Sequence, residues 1–134
     1  MKTFTSIIAT ILAVFSLSSC GSKIALDGQW TIKSVEGQTV EASEETPYLQ
    51  FNEAEGTVHG FLGVNIINGS YALKGDKLSF EHLGTTMMSG LPQDMDLEIK
   101  LLNAINAAAV AKVEAEKLLI YDNEGKELLT LARN

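Results

Sequence analysis

The chain has 134 residues, with 17 acidic and 10 basic side chains and a formal net charge of −7. This length suits one folded domain, and the acidic balance argues against nucleic acid as a partner. Cys20 is the only cysteine, so a disulfide within the chain is excluded and apolar burial has to stabilise the fold.

The first residues are typical of an export signal. Lys2 precedes an apolar run over 7–17, which is too short to span a bilayer. The letters "LSSC" that end at Cys20 resemble the lipobox of bacterial lipoproteins, in which the signal is cut before the cysteine and the cysteine receives lipid. An ordinary signal peptide followed by a chance cysteine is the alternative interpretation.

The lipobox resemblance divides the chain into three parts. It implies a signal peptide over 1–19, a lipidated Cys20 with a short tether over 20–25, and one domain over 26–134. Two or more acyl chains give stable anchoring. Gly21, where an Asp often marks inner-membrane retention, favours a protein anchored by its lipid to the outer membrane and facing the periplasm.

The domain reads as short strands separated by turns. In 29–35, Trp30 and Ile32 share one face, and the letters "KGD" at 74–76 predict a hairpin turn. The segment 85–88 is a further candidate strand. The predicted strands span 29–35, 48–52, 56–62, 69–73, 77–83, 109–115, 117–122 and 126–132.

One amphipathic helix interrupts the strands. Apolar residues recur at spacings of three and four over 93–108, and Pro92 suits the first turn. We interpret Asp94, Asp96 and Glu98 as carboxylates near the positive end of the helix dipole. The predicted fold class is α+β: a strongly curved antiparallel sheet, or partly open β-roll, of about eight short strands with one helix packed on it.

The order of these features resembles the META domain (HslJ-like) family of bacterial lipoproteins over about 26–132. Three segments carry the resemblance: "LDGQWTIKSVEG", "GFLGVNIINGSYAL" and "TTMMSG". The family implies an envelope lipoprotein, in some members linked to heat or drug tolerance, with no established reaction. The matching motif positions are Trp30, Gly60, Gly63, Asn65, Gly69, Tyr71, Thr85, Thr86 and Met87.

This chain departs from the family at two positions. Many members carry cysteines where Val64 and Ser89 stand here. Their joint absence fits a pair that is bonded in relatives, and the resemblance therefore implies that 63–65 lies close to 87–89 in space.

The glycine-rich stretch over 60–71 is interpreted as a backbone device. Gly60 inside a strand predicts a bulge or bend, while Gly63, Asn65 and Asn68 predict the corner that folds the sheet back. We expect Asn65 to hydrogen-bond backbone groups there and Tyr71 to bury its ring. A phosphate cradle is the weaker alternative, because no basic residue lies between His59 and Lys74.

The sequence offers little for catalysis. His59 and His82 lack metal-ligand spacing, so we expect no metal, no cofactor beyond the lipid on Cys20, and no enzyme. Thr85 and Thr86 are either ordinary strand residues, with Met87 in the core, or the lining of a cleft; the first is favoured. A ligand or partner surface is the remaining hypothesis for the methionines Met87, Met88 and Met95.

Three functions remain in order of preference. The first is a non-catalytic envelope lipoprotein that binds an unknown envelope protein or maintains the envelope under stress. The second is a carrier or sensor of a small apolar, lipid-like ligand, which requires a cavity of several hundred Å³. The third is a hydrolytic enzyme, centred near His82.

Overall fold

The computed structural model describes residues 24–43 and 45–133, so the predicted signal peptide and Cys20 lie outside the described residues. Within these ranges the chain forms one antiparallel sheet and one helix, α1, Pro92–Ala107. The strands are β1 Gly28–Val35, β2 Gln38–Thr39, β3 Tyr48–Asn52, β4 Thr57–Phe61, β5 Ile66–Lys74, β6 Lys77–Thr85, β7 Val110–Glu114, β8 Lys117–Tyr121 and β9 Glu127–Arg133.

The sheet curls until its first long strand meets its last. The strands follow the order β2-β1-β3-β4-β5-β6-β7-β8-β9, and β1 also pairs with β9. Every neighbouring pair is antiparallel, and β2 is a two-residue appendage to the end of β1. The predicted class, a curved sheet with one helix, is confirmed; β2 raises the strand number above the predicted eight.

Strands β6 and β7 share very few paired residues. These two strands pair only at Lys77 and Val110, whereas β5 and β6 pair at seven positions. The helix α1 is the connection between β6 and β7. Among the described residues no helix has the length and apolarity to cross a bilayer.

The two ends of the roll are closed differently. Helix α1 contacts the end where β1 passes into β2 and β4 into β5: Lys100 Nζ donates to Gln38 Oε1 at 3.1 Å, and Glu98 accepts from Asn65. We call this the helix end. The opposite end, the turn end, carries Ile24 and the turns 53–56 and 75–76, which line the same surface cavities as Ile24.

Apolar side chains fill the space between these ends. Phe51 packs edge-on against Tyr71, with ring centroids 5.0 Å apart. Helix α1 contributes three buried apolar residues from one face, Leu101, Ala104 and Ile105. The largest fully buried side chains are Trp30, Phe51, Leu26, Ile32, Leu49, Leu62, Ile67, Leu78, Leu101, Ile105, Leu118 and Ile120.

The turn end is tied together by Arg133. Its guanidinium carbon lies 4.0 Å from the centroid of the Trp30 ring, and its two terminal nitrogens donate to the carbonyls of Asp27 and Ala25 at 2.8 and 3.0 Å. The Trp30 Nε1 donates to the Leu26 carbonyl at 2.8 Å. The start of the domain is therefore fixed to the last strand.

Two predicted elements need correction. The segment 85–88 is not a separate strand, because β6 continues to Thr85 and residues 86–91 have no regular structure. Strand β5 begins at Ile66 rather than at residue 69, so Asn68 lies in the sheet and not in the corner. Asn68 is tolerated there because its side-chain oxygen lies 2.8 Å from His59 Nδ1 on the neighbouring strand.

The glycines of this segment also differ from expectation. Gly60 is paired regularly with Leu49 and Ile67; it allows close packing, because a Cβ there would lie 2.7 Å from the Tyr48 carbonyl oxygen. The bulge lies opposite Gly69, where the register of β5 and β6 shifts. His82, at φ 55°, takes up the extra residue on β6.

Candidate functional site

The site begins at the corner between β4 and β5, residues 62–65. Gly63 has φ 117°, a conformation that side chains disfavour, and a Cβ there would lie 3.5 Å from the Asp94 carbonyl oxygen. The Leu62 N–H donates to the Asn65 carbonyl at 3.0 Å and closes the turn. The sharp turn delivers Asn65 to the first turns of α1.

Asn65 is the hub of the corner. Its side chain, in a residue only 4% exposed, accepts through Oδ1 from Thr86 Oγ1 and from Met88 N, both at 2.7 Å. Its Nδ2 donates to the Met88 carbonyl at 3.1 Å and to Glu98 Oε2 at 2.7 Å. Asn65 therefore binds backbone groups as expected, and 63–65 does lie beside 87–89.

Glu98 binds the same corner from the helix. It is 5% exposed, and its Oε1 accepts from the N–H groups of Asn65 at 2.6 Å and Val64 at 3.2 Å. Within the described part of the chain, no lysine or arginine forms an ion pair with it. Three donors, two of them backbone N–H groups, bind the Glu98 carboxyl group.

The helix-dipole interpretation of the acidic residues is therefore incomplete. Glu98 and Asp94 are buried, and Asp94 Oδ1 accepts from Ser43 N at 3.2 Å; only Asp96 is exposed. A signal was present in the sequence: 94 and 98 lie on one helix face with the buried Leu101 and Ile105. A carboxylate on the apolar face indicates a buried acceptor.

The loop that follows β6 presents apolar side chains to solvent. In this loop Met87 is 92% exposed, Met88 60% and Leu91 52%, and Ile66 at the start of β5 is 38% exposed. We call these four residues the Met87 surface. The interpretation of Met87 as a core residue is wrong, because the bonds from Asn65 to Met88 hold the loop outside the roll, and Thr85 and Thr86 are exposed as well.

A groove of about 510 Å³ lies between this loop, the corner and the start of α1. Among the described residues that line it are two carboxylates and no basic side chain. Met88 and Leu91 connect it with the Met87 surface, whereas Met95 is partly buried and does not line it. The lining residues are Ser43, Glu45, Phe61, Gly63, Val64, Met88, Ser89, Gly90, Leu91 and Asp94.

The other candidate residues lie apart from this groove. His82 is exposed in the bulge of β6, and His59 contacts Asn68. No group of three or more metal-ligating side chains forms in residues 24–43 and 45–133. Burial, and then the carboxylates of Glu53 and Asp27, raise the pKa of Tyr71 at the turn end.

The arrangement of corner, loop and helix agrees with a known domain family. The META domain family model matches residues 22–134. The chain belongs to the META domain family. Its motif residues Asn65 and Thr86 are the ones that join the corner to the loop after β6. No match is found among curated proteins.

Solved structures share the META-domain fold of this chain. An NMR structure of a protein from Burkholderia xenovorans is similar with a TM-score of 0.63 at 25% identity, over 85% of this chain and 94% of that one. A second NMR structure has a TM-score of 0.63 at 22% identity, over 80% and 89%. The crystal structure of a DUF4847 family protein from Bacteroides vulgatus has a TM-score of 0.59 at 15% identity, over 83% and 95%.

Proposed function

We propose that this META-domain protein is a non-catalytic, lipid-anchored lipoprotein of the bacterial envelope that binds another envelope protein through the Met87 surface. The observation that carries the proposal is the exposure of three large apolar side chains, Met87, Met88 and Leu91, within one short loop at the helix end. Contiguous exposed apolar side chains are typical of protein contact sites. Methionine suits such a surface because its side chain is flexible and polarizable.

The polar motif residues support a structural role beside this surface. The amide of Asn65 makes four hydrogen bonds within the domain, which uses its two donors and both acceptor positions. Glu98 is occupied by three donors. These groups hold the loop in place, and a partner then meets the loop rather than the network beneath it.

The charge of the groove indicates the kind of partner segment. Glu45 and Asp94 line it beside Met88 and Leu91, and no lysine or arginine is among the described lining residues. Complementary charges increase specificity and the association rate. We therefore expect the partner to present an apolar side chain flanked by lysine or arginine.

Site-directed photo-crosslinking tests the contact surface. A photoreactive residue is placed at Met87 in the full chain, expressed in a diderm bacterium, with Ile99 as the matched control because it is also exposed but lies on α1. We expect a discrete adduct from position 87 that disappears with Met88→Glu and weakens in high salt. Equal adducts from both positions, or none from position 87, would contradict the proposal.

Membrane fractionation tests the anchor. The full chain and Cys20→Ser are expressed in the same host, and membranes are separated by flotation. We expect the wild-type chain in the outer-membrane fraction, and we expect Cys20→Ser, which keeps its uncut signal and receives no lipid, to be absent from that fraction. A wild-type chain that stays soluble would overturn the anchored function whatever the crosslinks show.

A second candidate function, a carrier of a small apolar ligand, is favoured by the groove alone. Its volume of about 510 Å³ falls within the roughly 300–1,000 Å³ of ligand pockets. Native mass spectrometry of the full chain in detergent tests it. A co-purified acyl species that is lost with Val64→Trp, a substitution in the groove wall, would favour the carrier.

A further inference from the structure

The chain enters the fold at the end opposite the Met87 surface. Ile24, the first described residue, lines one surface cavity with Glu53 and Gly56 and another with Gly75 and Asp76. These residues belong to the turns of the turn end. The Met87 surface instead lies beside the corner and α1, at the helix end.

The length of strand β5 gives the separation between these ends, because β5 runs from Ile66 beside the loop to Lys74 beside the 75–76 turn. Its nine residues extend over about 26 Å at about 3.3 Å per step. Strands in a closed sheet tilt by roughly 40°, which leaves about 20 Å along the axis of the roll. The Met87 surface therefore lies about 20 Å from the level at which the chain enters.

The chain before Ile24 is short. Cys20 precedes Ile24 by four residues, which reach at most about 14 Å when fully extended. With lipid on Cys20, the premise taken from the proposed function, Ile24 cannot move farther than this from the lipid headgroups. This maximum distance between Ile24 and the headgroups is shorter than the distance between the two ends of the roll.

We propose that the turn end of the roll faces the bilayer surface that holds the lipid, and that the Met87 surface points away from it. The turn end is then the lipid-facing surface, and the helix end is presented to a partner across the periplasm. Electrostatics does not choose between orientations, since both acidic residues, Glu53 and Asp76, and basic residues, Lys74 and Lys77, occur at the turn end. The attachment point and the length of the tether exclude the inverted orientation, in which the helix end would face the bilayer and Ile24 would lie about 20 Å from it.

The competing geometry is a roll lying on its side, with the Met87 surface dipped into the same bilayer. Apolar exposure favours it, because Met87 and Leu91 would leave water. Side-on contact would bring Asp76 and Met87 to similar distances from the headgroups, whereas end-on contact separates them. The two geometries therefore differ in a measurable distance.

Energy transfer from tryptophan to labelled lipid distinguishes the end-on geometry from the side-on geometry. The full chain, processed in a diderm bacterium and extracted in detergent, is reconstituted in phosphatidylcholine vesicles that contain dansyl-labelled headgroups. Asp76→Trp and Met87→Trp are compared, with the buried Trp30 as a common background. We expect transfer from position 76 to be several-fold greater than from position 87.

Equal or greater transfer from position 87, in protein that floats with the vesicles, would overturn the orientation and leave the anchored function standing. Wild-type protein that fails to float would overturn the anchor itself and the orientation with it. Circular dichroism of each variant confirms that the roll is intact, and Asp76→Ser with Met87→Ser serve as matched substitutions without the fluorophore.

Discussion

The two ends of the roll are held together by different kinds of polar contact. At the helix end, a buried carboxylate and a buried amide connect α1 to the corner and the loop, without a cation. At the turn end, the cation of Arg133 covers Trp30 and holds two carbonyls near the surface. Buried polar groups are costly to leave unpaired, whereas partly solvated ones are not. We therefore expect the helix end to be much less tolerant of substitution.

Removal of the carboxylate of Glu98 should have the largest effect. Glu98→Ala leaves the backbone N–H groups of Val64 and Asn65 and one of the two Nδ2 protons of Asn65 without an acceptor, and we expect a loss of about 3–5 kcal/mol in the free energy of unfolding. Urea denaturation measures it. Asp96→Ala, on the same helix but exposed, is the control, and a Glu98→Ala effect as small as the control's would refute the role of the network.

Loss of the Asn65 amide should come next. Asn65→Ala removes the bonds to Thr86 and Met88, and we expect a loss of about 2–4 kcal/mol. Hydrogen exchange should also increase in the loop 86–91, because Met88 N–H loses its acceptor. Asn68→Ala, at an exposed strand position, should change the free energy of unfolding by less than about 0.5 kcal/mol. Equal losses in the free energy of unfolding for Asn65→Ala and Asn68→Ala would refute the central role of the Asn65 side chain.

Substitution at the turn end should be milder. Arg133→Ala removes the contact with Trp30 and two bonds to carbonyls, with an expected loss of about 1–2 kcal/mol. Arg133→Lys keeps the charge without the planar fork and should fall in between. Trp30 fluorescence follows unfolding. A loss as large as that from Glu98→Ala would contradict the contrast between the ends.

The smallest effect is an alkaline one at the turn end. The pKa of Tyr71 is raised by burial and by Glu53 and Asp27. A raised pKa in the folded state contributes stability below the pKa of an unfolded tyrosine, and this stability is lost as pH rises through the folded value. Tyr71→Phe should therefore reduce the loss of stability at alkaline pH. A tyrosine absorbance titration that shows no late-titrating group would refute it.

Patterns of apolar burial could be predicted from the sequence because core packing decides them. The helix was predicted within one residue at each end, and 48–52 matches β3. The start of β5 was missed, since Asn68 and Gly69 are turn formers by local preference and only their pairing with β4 and β6 places them in the sheet. The turn preferences of single residues do not reveal which strands a segment pairs with.

The candidate site could be predicted only in part. The hydrogen-bonding role of Asn65 follows from its place beside Gly63 in a tight turn. The partnership with Glu98 joins residues 33 positions apart, and the dipole interpretation of the acidic residues concealed it. The exposure of Met87 also depends on tertiary contacts, because the loop after β6 is held outward by Asn65 rather than by its own sequence.

The pairing of β1 with β9 determines how the domain carries mechanical load. Strand β1 is flanked by β3 on one side and by β9 on the other, with antiparallel pairing along both edges. A pull on residue 24 that is directed along β1 would load these hydrogen bonds together in shear instead of opening them one at a time. Arg133 passes part of the pull from Ala25 and Asp27 directly to β9. A force at the beginning of the domain is thus shared by its first and last strands.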